Sequence, residues 1–188
     1  MPKLTPLLPA LLIVASQAAL SQDVPEVSKV PLAKLAELEA LAGHWEMTVH
    51  IADETGSTWN ATPPQAVELR FAHKGMMLEE VPAELDTPGF HMHTIITYDQ
   101  YRQVYRKAAL DDVWGILDLY EGELIDGRLV FTNLKAGTLF PVGEETWRGF
   151  RLTMELNSER RWMWIDKTDD QGTTWQPAFK SEYVRLDD

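Results

Sequence analysis

From Trp45 onward, apolar and polar residues change places step by step in a series of short stretches, the period of a strand with one buried face. Trp45, Met47, Val49 and Ile51 share one face of the first stretch, and His44, Glu46, Thr48 and His50 share the other. Val67, Leu69, Phe71 and His73 likewise oppose Glu68, Arg70, Ala72 and Lys74, and Phe150, Leu152, Met154 and Leu156 oppose Arg151, Thr153, Glu155 and Asn157. Turn signals punctuate the pattern at Lys74-Gly75, Asp99 to Arg102, Asp126-Gly127, Asn157-Ser158 and Asp170 to Gly172. Together they predict about ten strands, over 44–51, 66–73, 76–82, 89–98, 103–110, 113–121, 128–135, 145–156, 160–167 and 174–186. One-sided alternation at hairpin spacing implies an all-β antiparallel meander, and closing it into a barrel removes the exposed edges. A barrel of roughly eight to ten strands is wide enough to enclose a small ligand.

The residues before the first strand follow other rules. Leu32, Leu35, Leu38 and Leu41 recur at threes after Pro31, and Gly43 suits a helix end, so a short helix is expected to precede the barrel. Earlier still, a basic start at Met1-Pro2-Lys3 leads into the apolar run Leu7–Ala15 and the small-residue stretch Ala19-Leu20-Ser21. That order is the secretory signal pattern, with cleavage expected after Ser21. Pro9, Ser16 and Gln17 interrupt the run, which falls short of the about 20 apolar residues that a membrane span needs. The expected organisation is a signal peptide over 1–21, a linker over 22–30 and one barrel domain over 31–188, in a periplasmic or secreted protein with no membrane span after signal removal.

Composition narrows the functional classes. No cysteine is present, which removes disulfides, thiolate metal sites, a cysteine nucleophile and a lipid-anchored cysteine. Without residues 1–21 the chain carries 16 Lys+Arg against 29 Asp+Glu, a formal charge of −13. Such a surface repels phosphate backbones, so nucleic acid is excluded as a partner. There is no Gly-x-Ser-x-Gly, phosphate loop or His-Glu-x-x-His, no cofactor is implied, and the scattered acids form no catalytic pair.

A leucine-rich segment ending in Leu41-Ala42-Gly43-His44-Trp45 and opening a first strand resembles the Gly-x-Trp start of lipocalins and other calycins. There the tryptophan plugs the closed end of the barrel. Farther on, Ile96-Thr97-Tyr98-Asp99, Leu117-Asp118-Leu119-Tyr120-Glu121-Gly122, Leu134-Lys135-Ala136-Gly137-Thr138 and the ending Asp170-x-Gly-x-Thr-Trp175 resemble a bacterial lipocalin-like domain family of unknown function, DUF1579. The resemblance covers residues 38 to 186 and implies a fold without an activity. The glycine-rich repeat of haem-binding nitrobindin-like barrels is missing. Thr168-x-Asp170-x-Gly172-x-Thr174-Trp175 also matches an Asp-box, which in sialidases is structural, and a single copy reads as a turn staple.

Candidate ligand contacts follow from the faces. Arg148 continues the face of Phe150, Leu152 and Met154, while Asp118 lies with Trp114, Ile116 and Tyr120. If both faces point inward, Arg148 and Asp118 either pair with each other or leave Arg148 to a ligand carboxylate, as interior arginines do in the related fatty-acid-binding barrels. His73 extends the Val67, Leu69, Phe71 face and would sit at the rim, and Trp114 and Tyr120 would line a cavity. His91-x-His93 is the only close histidine pair among five histidines, a weak metal candidate with Glu79 or Glu80 as a third ligand. The leading expectation is a barrel that binds a small apolar or amphipathic molecule through Arg148, His73, Asp118, Trp114 and Tyr120. The alternatives are an enzyme using a histidine or metal at the barrel mouth, and a protein-interaction domain with a filled barrel. A cavity and the polar groups converging on it would separate them.

Overall fold

The computed structural model describes residues 28–86 and 89–187, so the expected signal peptide and most of the linker lie outside the described residues. The chain enters through a short helix, α1 (Lys29–Ala36), followed by a single 3₁₀ turn over Glu39–Leu41. This corrects the expected single helix, which starts two residues earlier, inside the stretch read as linker, and breaks at Ala36. Leucines spaced at threes fit a 3₁₀ turn better than an α-helix, because i and i+3 eclipse there. The bonds Leu38 N to Leu35 O and Leu41 N to Leu38 O, each 2.9 Å, have that spacing. Leu35, Leu38 and Leu41 are all fully buried as a result.

Twelve strands follow: β1 (Gly43–Ala52), β2 (Trp59–Ala61), β3 (Gln65–Ala72), β4 (Met77–Pro82), β5 (Met92–Asp99) and β6 (Val104–Asp111) in the first half, then β7 (Leu117–Ile125), β8 (Arg128–Thr132), β9 (Phe140–Pro141), β10 (Trp147–Glu155), β11 (Arg160–Thr168) and β12 (Gln176–Arg185). Ten of them close into an antiparallel barrel, β1-β3-β4-β5-β6-β7-β8-β10-β11-β12, with β12 returning to β1. The two short strands β2 and β9 pair at the ends of β1 and β10. These ten strands match the ten periodic stretches of the sequence. β2 and β9 are too short to show a period and were not expected.

One end of the barrel is closed. Trp45 is fully buried there beneath the leucines of the entry segment, and its Nε1 donates to Leu41 O at 2.9 Å. The Arg185 guanidinium lies 4.3 Å from the Trp45 ring centre and donates from Nη2 to Ala40 O and Ala42 O at 3.1 and 3.0 Å. The Arg–tryptophan contact thereby ties the last strand to the first and to the plug. The hairpins at 73–76, 99–103, 126–127 and 157–159 lie at this end.

At the opposite end, the longer connections 53–64, 112–116, 133–146 and 169–175, with residues 83–86 and 89–91, form the rim. The last of these is the expected staple. Asp170 Oδ1 accepts from Thr174 N at 2.9 Å and from Thr168 Oγ1 at 2.7 Å, and Gly172 N donates to Thr168 Oγ1 at 2.9 Å. Gly172 takes φ 89°, which a side chain rarely adopts, and these bonds hold the Asp170 carboxyl down at about 2. Inside the barrel, Gly122 faces Phe131 across β7 and β8, where an added Cβ would lie within 3 Å of both the ring and Val130 O.

Candidate functional site

The barrel interior is apolar over most of its wall, lined by Leu78, Ile96, Leu129, Phe131, Leu152 and Met154. Buried polar side chains break this wall, among them Glu80 on β4, Lys107 on β6, Asp118 and Tyr120 on β7, Arg161 on β11 and Tyr183 on β12. The alternation that aims neighbouring apolar residues inward aims these inward too. Lys107 stands between Ile96 and Tyr120 across the sheet, Asp118 opposite Ala109, and Arg161 opposite Tyr183.

The two carboxylates have neutral donors of their own. Asp118 accepts from the hydroxyls of Tyr120 and Thr138 and from Asn133 Nδ2 at 3.2 and 3.3 Å. Asn133, fully buried, also accepts from Phe150 N at 2.7 Å through its Oδ1, so it joins β7 to β10 just past the end of β8. Glu80 accepts from the Tyr183 hydroxyl at 3.2 Å. Burial pushes the Tyr120 and Tyr183 hydroxyls far above the ordinary tyrosine range, and the charges of Asp118 and Glu80 push the same way.

The two cations are placed differently. Arg161 is fully buried, with its guanidinium carbon 3.8 Å from the Trp45 ring centre and 4.4 Å from that of Tyr183. Its Nε, Nη1 and Nη2 have no hydrogen-bond partner among the described residues. Burial lowers its pKa to about 10. Lys107 makes no hydrogen bond or close ion pair among the described residues. Burial lowers its pKa, and the charges of Glu80 and Asp118 offset only part of that effect. Two cations and two carboxylates thus share the interior, and the Arg161 nitrogens are the ones left without a hydrogen bond among the described residues.

A family model described as "Protein of unknown function (DUF1579)" matches residues 30–185. The chain belongs to this family. No curated protein matches it in sequence.

In this DUF1579 domain, several stretches that carried the resemblance have structural work at identifiable places. Asp118 and Thr138 meet across the two segments Leu117–Gly122 and Leu134–Thr138. Asp99 caps the closed-end hairpin by accepting from Tyr101 N and Arg102 N, both at 3.0 Å.

The expected contact residues separate into two groups. Asp118 and Tyr120 face inward and touch each other. Arg148 does not meet Asp118, because it leaves the barrel wall at the rim for a two-pronged ion pair with Asp169, both contacts at 2.8 Å. His73 is not at the rim of the open end: the chain turns at the closed end, with His73 at φ 47° and Lys74 at φ 60°, and the imidazole is exposed. Trp114 sits in the 112–116 loop, 70 % exposed, with its ring 5.8 Å from that of Phe90. His91 and His93 engage different carboxylates. His91 Nδ1 lies 2.7 Å from Asp112, while His93 Nε2 lies 3.4 Å from Glu79. No group of three or more potential metal ligands occurs among the described residues, so the third ligand the pair would need is not in place.

Sequence reading missed Lys107, Arg161 and Tyr183, and weighed Glu80 only as a third metal ligand. In Arg160-Arg161-Trp162-Met163-Trp164 the two tryptophans suggest the buried face, yet they lie on the outside under cations: Trp162 with Lys180 and Trp164 with Arg128. The usable signal was Arg161-x-Met163-x-Ile165, an alternation in register with the inward residues of β12.

Proposed function

We propose that this is an exported binding protein that holds a small amphipathic molecule inside its barrel, with the apolar part against the wall and a polar group on the interior side chains. The observation that carries this reading is the pair of buried cations, Lys107 and Arg161, in an apolar interior, with all three Arg161 nitrogens lacking a hydrogen-bond partner among the described residues. An unpartnered buried donor costs about 1–3 kcal/mol and more when charged, a cost that a bound polar group would offset. The open end supports the same reading. Leu85, Phe90, Val113, Trp114, Leu117 and Trp147 are exposed around it, an apolar collar suited to an amphipathic molecule in transit. Export rests on the signal pattern of residues 1–21.

Native mass spectrometry of the protein isolated gently from its producing cells tests both parts in one spectrum. The expected result is a polypeptide beginning near Gln22 that carries a small-molecule adduct, which is lost on denaturation. A bare, full-length chain under every gentle condition overturns the reading.

A further inference from the structure

Apart from what the barrel holds, we infer that the outer wall of β5, β6 and β7 is a dimer face, covered by the same wall of a second copy of the chain. In β7, Leu117 and Leu119 point outward while Asp118 and Tyr120 are buried, and in β6 Ala108 and Leu110 point outward while Lys107 and Ala109 are buried. Strand pairing gathers these outward residues with Ile95 of β5. Ile95, Ala108 and Leu119 form one row across the wall, and Leu110 and Leu117 lie in the next. Leu110, Leu117 and Leu119 are 45, 54 and 40 % exposed. Strands that are apolar on both faces belong to walls covered on both sides. Elsewhere the outer wall carries ion pairs, Arg70 with Glu68 and Glu79, Arg151 with Asp166, and Arg160 with Glu182.

Shape, charge and area favour a second copy as the occupant. Ala108 is the smallest side chain in its row and leaves a groove bordered by Ile95, Thr97, Arg106 and Leu119. Leu110 and Leu117 stand as a ridge one row away, toward the open end. A two-fold axis lying in the wall, across the strands and between the two rows, lowers Leu110 of each copy onto the partner's Ala108 and Leu117 onto the partner's Leu119. Groove and ridge then fill each other, as a contact between identical patches requires, and the two walls pack face to face with aligned strands. The acids that border the patch are neutralised, Glu79 by Arg70 and Glu121 by Arg106, so the face lacks the repulsion that the negative charge of the chain would otherwise set up. With Val113 and Trp114 at the rim, the exposed apolar side chains offer on the order of 500 Å² per copy, close to the apolar share of a standard interface that buries about 800 Å² per partner.

Sedimentation equilibrium of the purified protein across a concentration series tests the inference. The expected result is a monomer–dimer equilibrium with a Kd of about 10 µM or tighter, the range of an interface of this size. Leu110→Glu and Leu119→Glu should each raise that Kd at least about tenfold, because the two-fold axis brings every added charge against an apolar wall and near its own copy. Both side chains are partly exposed, so the melting temperatures of the two variants should stay at that of the parent. Val184→Glu, at an equally exposed apolar position on β12, should leave the Kd unchanged. A protein that stays monomeric at about 100 µM, ten times the expected Kd, overturns the inference. A dimer that survives both Leu110→Glu and Leu119→Glu overturns the choice of face. A monomer that binds phosphatidylcholine vesicles and loses that binding in Leu110→Glu gives the wall to a lipid surface, and overturns the inference as well.

Discussion

Replacing Trp45 by alanine should remove about 4 kcal/mol of stability, the largest single loss expected in this barrel. The ring is fully buried at the closed end, where it meets the Leu35, Leu38 and Leu41 plug within one continuous core. Three further interactions go with it. The Nε1 bond to Leu41 O is lost, and the guanidinium groups of Arg161 and Arg185 lose the ring that lies 3.8 and 4.3 Å from them. Cation–ring contacts contribute about 0.5–2 kcal/mol each, more where they are desolvated, and Arg161 has no hydrogen bond to fall back on. Against a typical stability of about 5–15 kcal/mol, this variant should be at the edge of folding. Equilibrium urea unfolding followed by circular dichroism measures it. Trp45→Phe should cost less, about 1–2 kcal/mol, because it keeps most of the apolar volume and gives up the Nε1 bond. A loss under about 1.5 kcal/mol for Trp45→Ala would mean that the ring does not seal the closed end.

Asp118→Ala should cost about 3 kcal/mol, for a different reason. The substitution leaves the Tyr120 hydroxyl, the Thr138 hydroxyl and Asn133 Nδ2 without their shared acceptor in the barrel wall. Buried donors stripped of an acceptor cost about 1–3 kcal/mol each, and some of that returns because a buried charge is removed as well. Asn133 then has less reason to hold its place between β7 and β10, so the loosening should be read in the 133–146 rim segment. Hydrogen exchange read at Phe150 N, which donates to Asn133, reports it directly. Asp118→Asn keeps one acceptor oxygen and should lose roughly half as much. Should Asp118→Ala unfold at the parent's urea midpoint with unchanged exchange at Phe150, the network would have no structural role.

The contrast between these two residues shows what was legible in the sequence. The barrel was legible because a strand with one buried face repeats every second residue, and ten such stretches with turn residues between them leave few other architectures. Trp45 was legible for the same reason, helped by the glycine two residues before it. The entry helix was only partly legible, since leucines at threes fit both an amphipathic helix and a 3₁₀ turn. Alternation along β7 put Asp118 and Tyr120 on one face without deciding that it points inward, because Leu117 and Leu119 make the other face apolar as well. Arg148 shows where alternation stops: it continues the Phe150, Leu152, Met154 face, but at a strand end the side chain can leave the wall, and Asp169 across the hairpin draws it out. Arg161 was hidden by its neighbours. Trp162 and Trp164 outweigh one methionine on any hydropathy count, although tryptophans on the outer face can be covered by Lys180 and Arg128 instead of the core. Which donors go unpartnered depends on contacts between residues far apart in sequence, such as Tyr183 with Glu80, and no local pattern reports those.

A crystal structure of the gently purified protein, at a resolution that separates side chains from bound molecules, tests the account most directly. Continuous density for a small molecule is expected inside the barrel, with a polar group within hydrogen-bond distance of Arg161 and Lys107. An interior filled by side chains alone, with Arg161 and Lys107 drawn into direct ion pairs with Glu80 and Asp118, would contradict it.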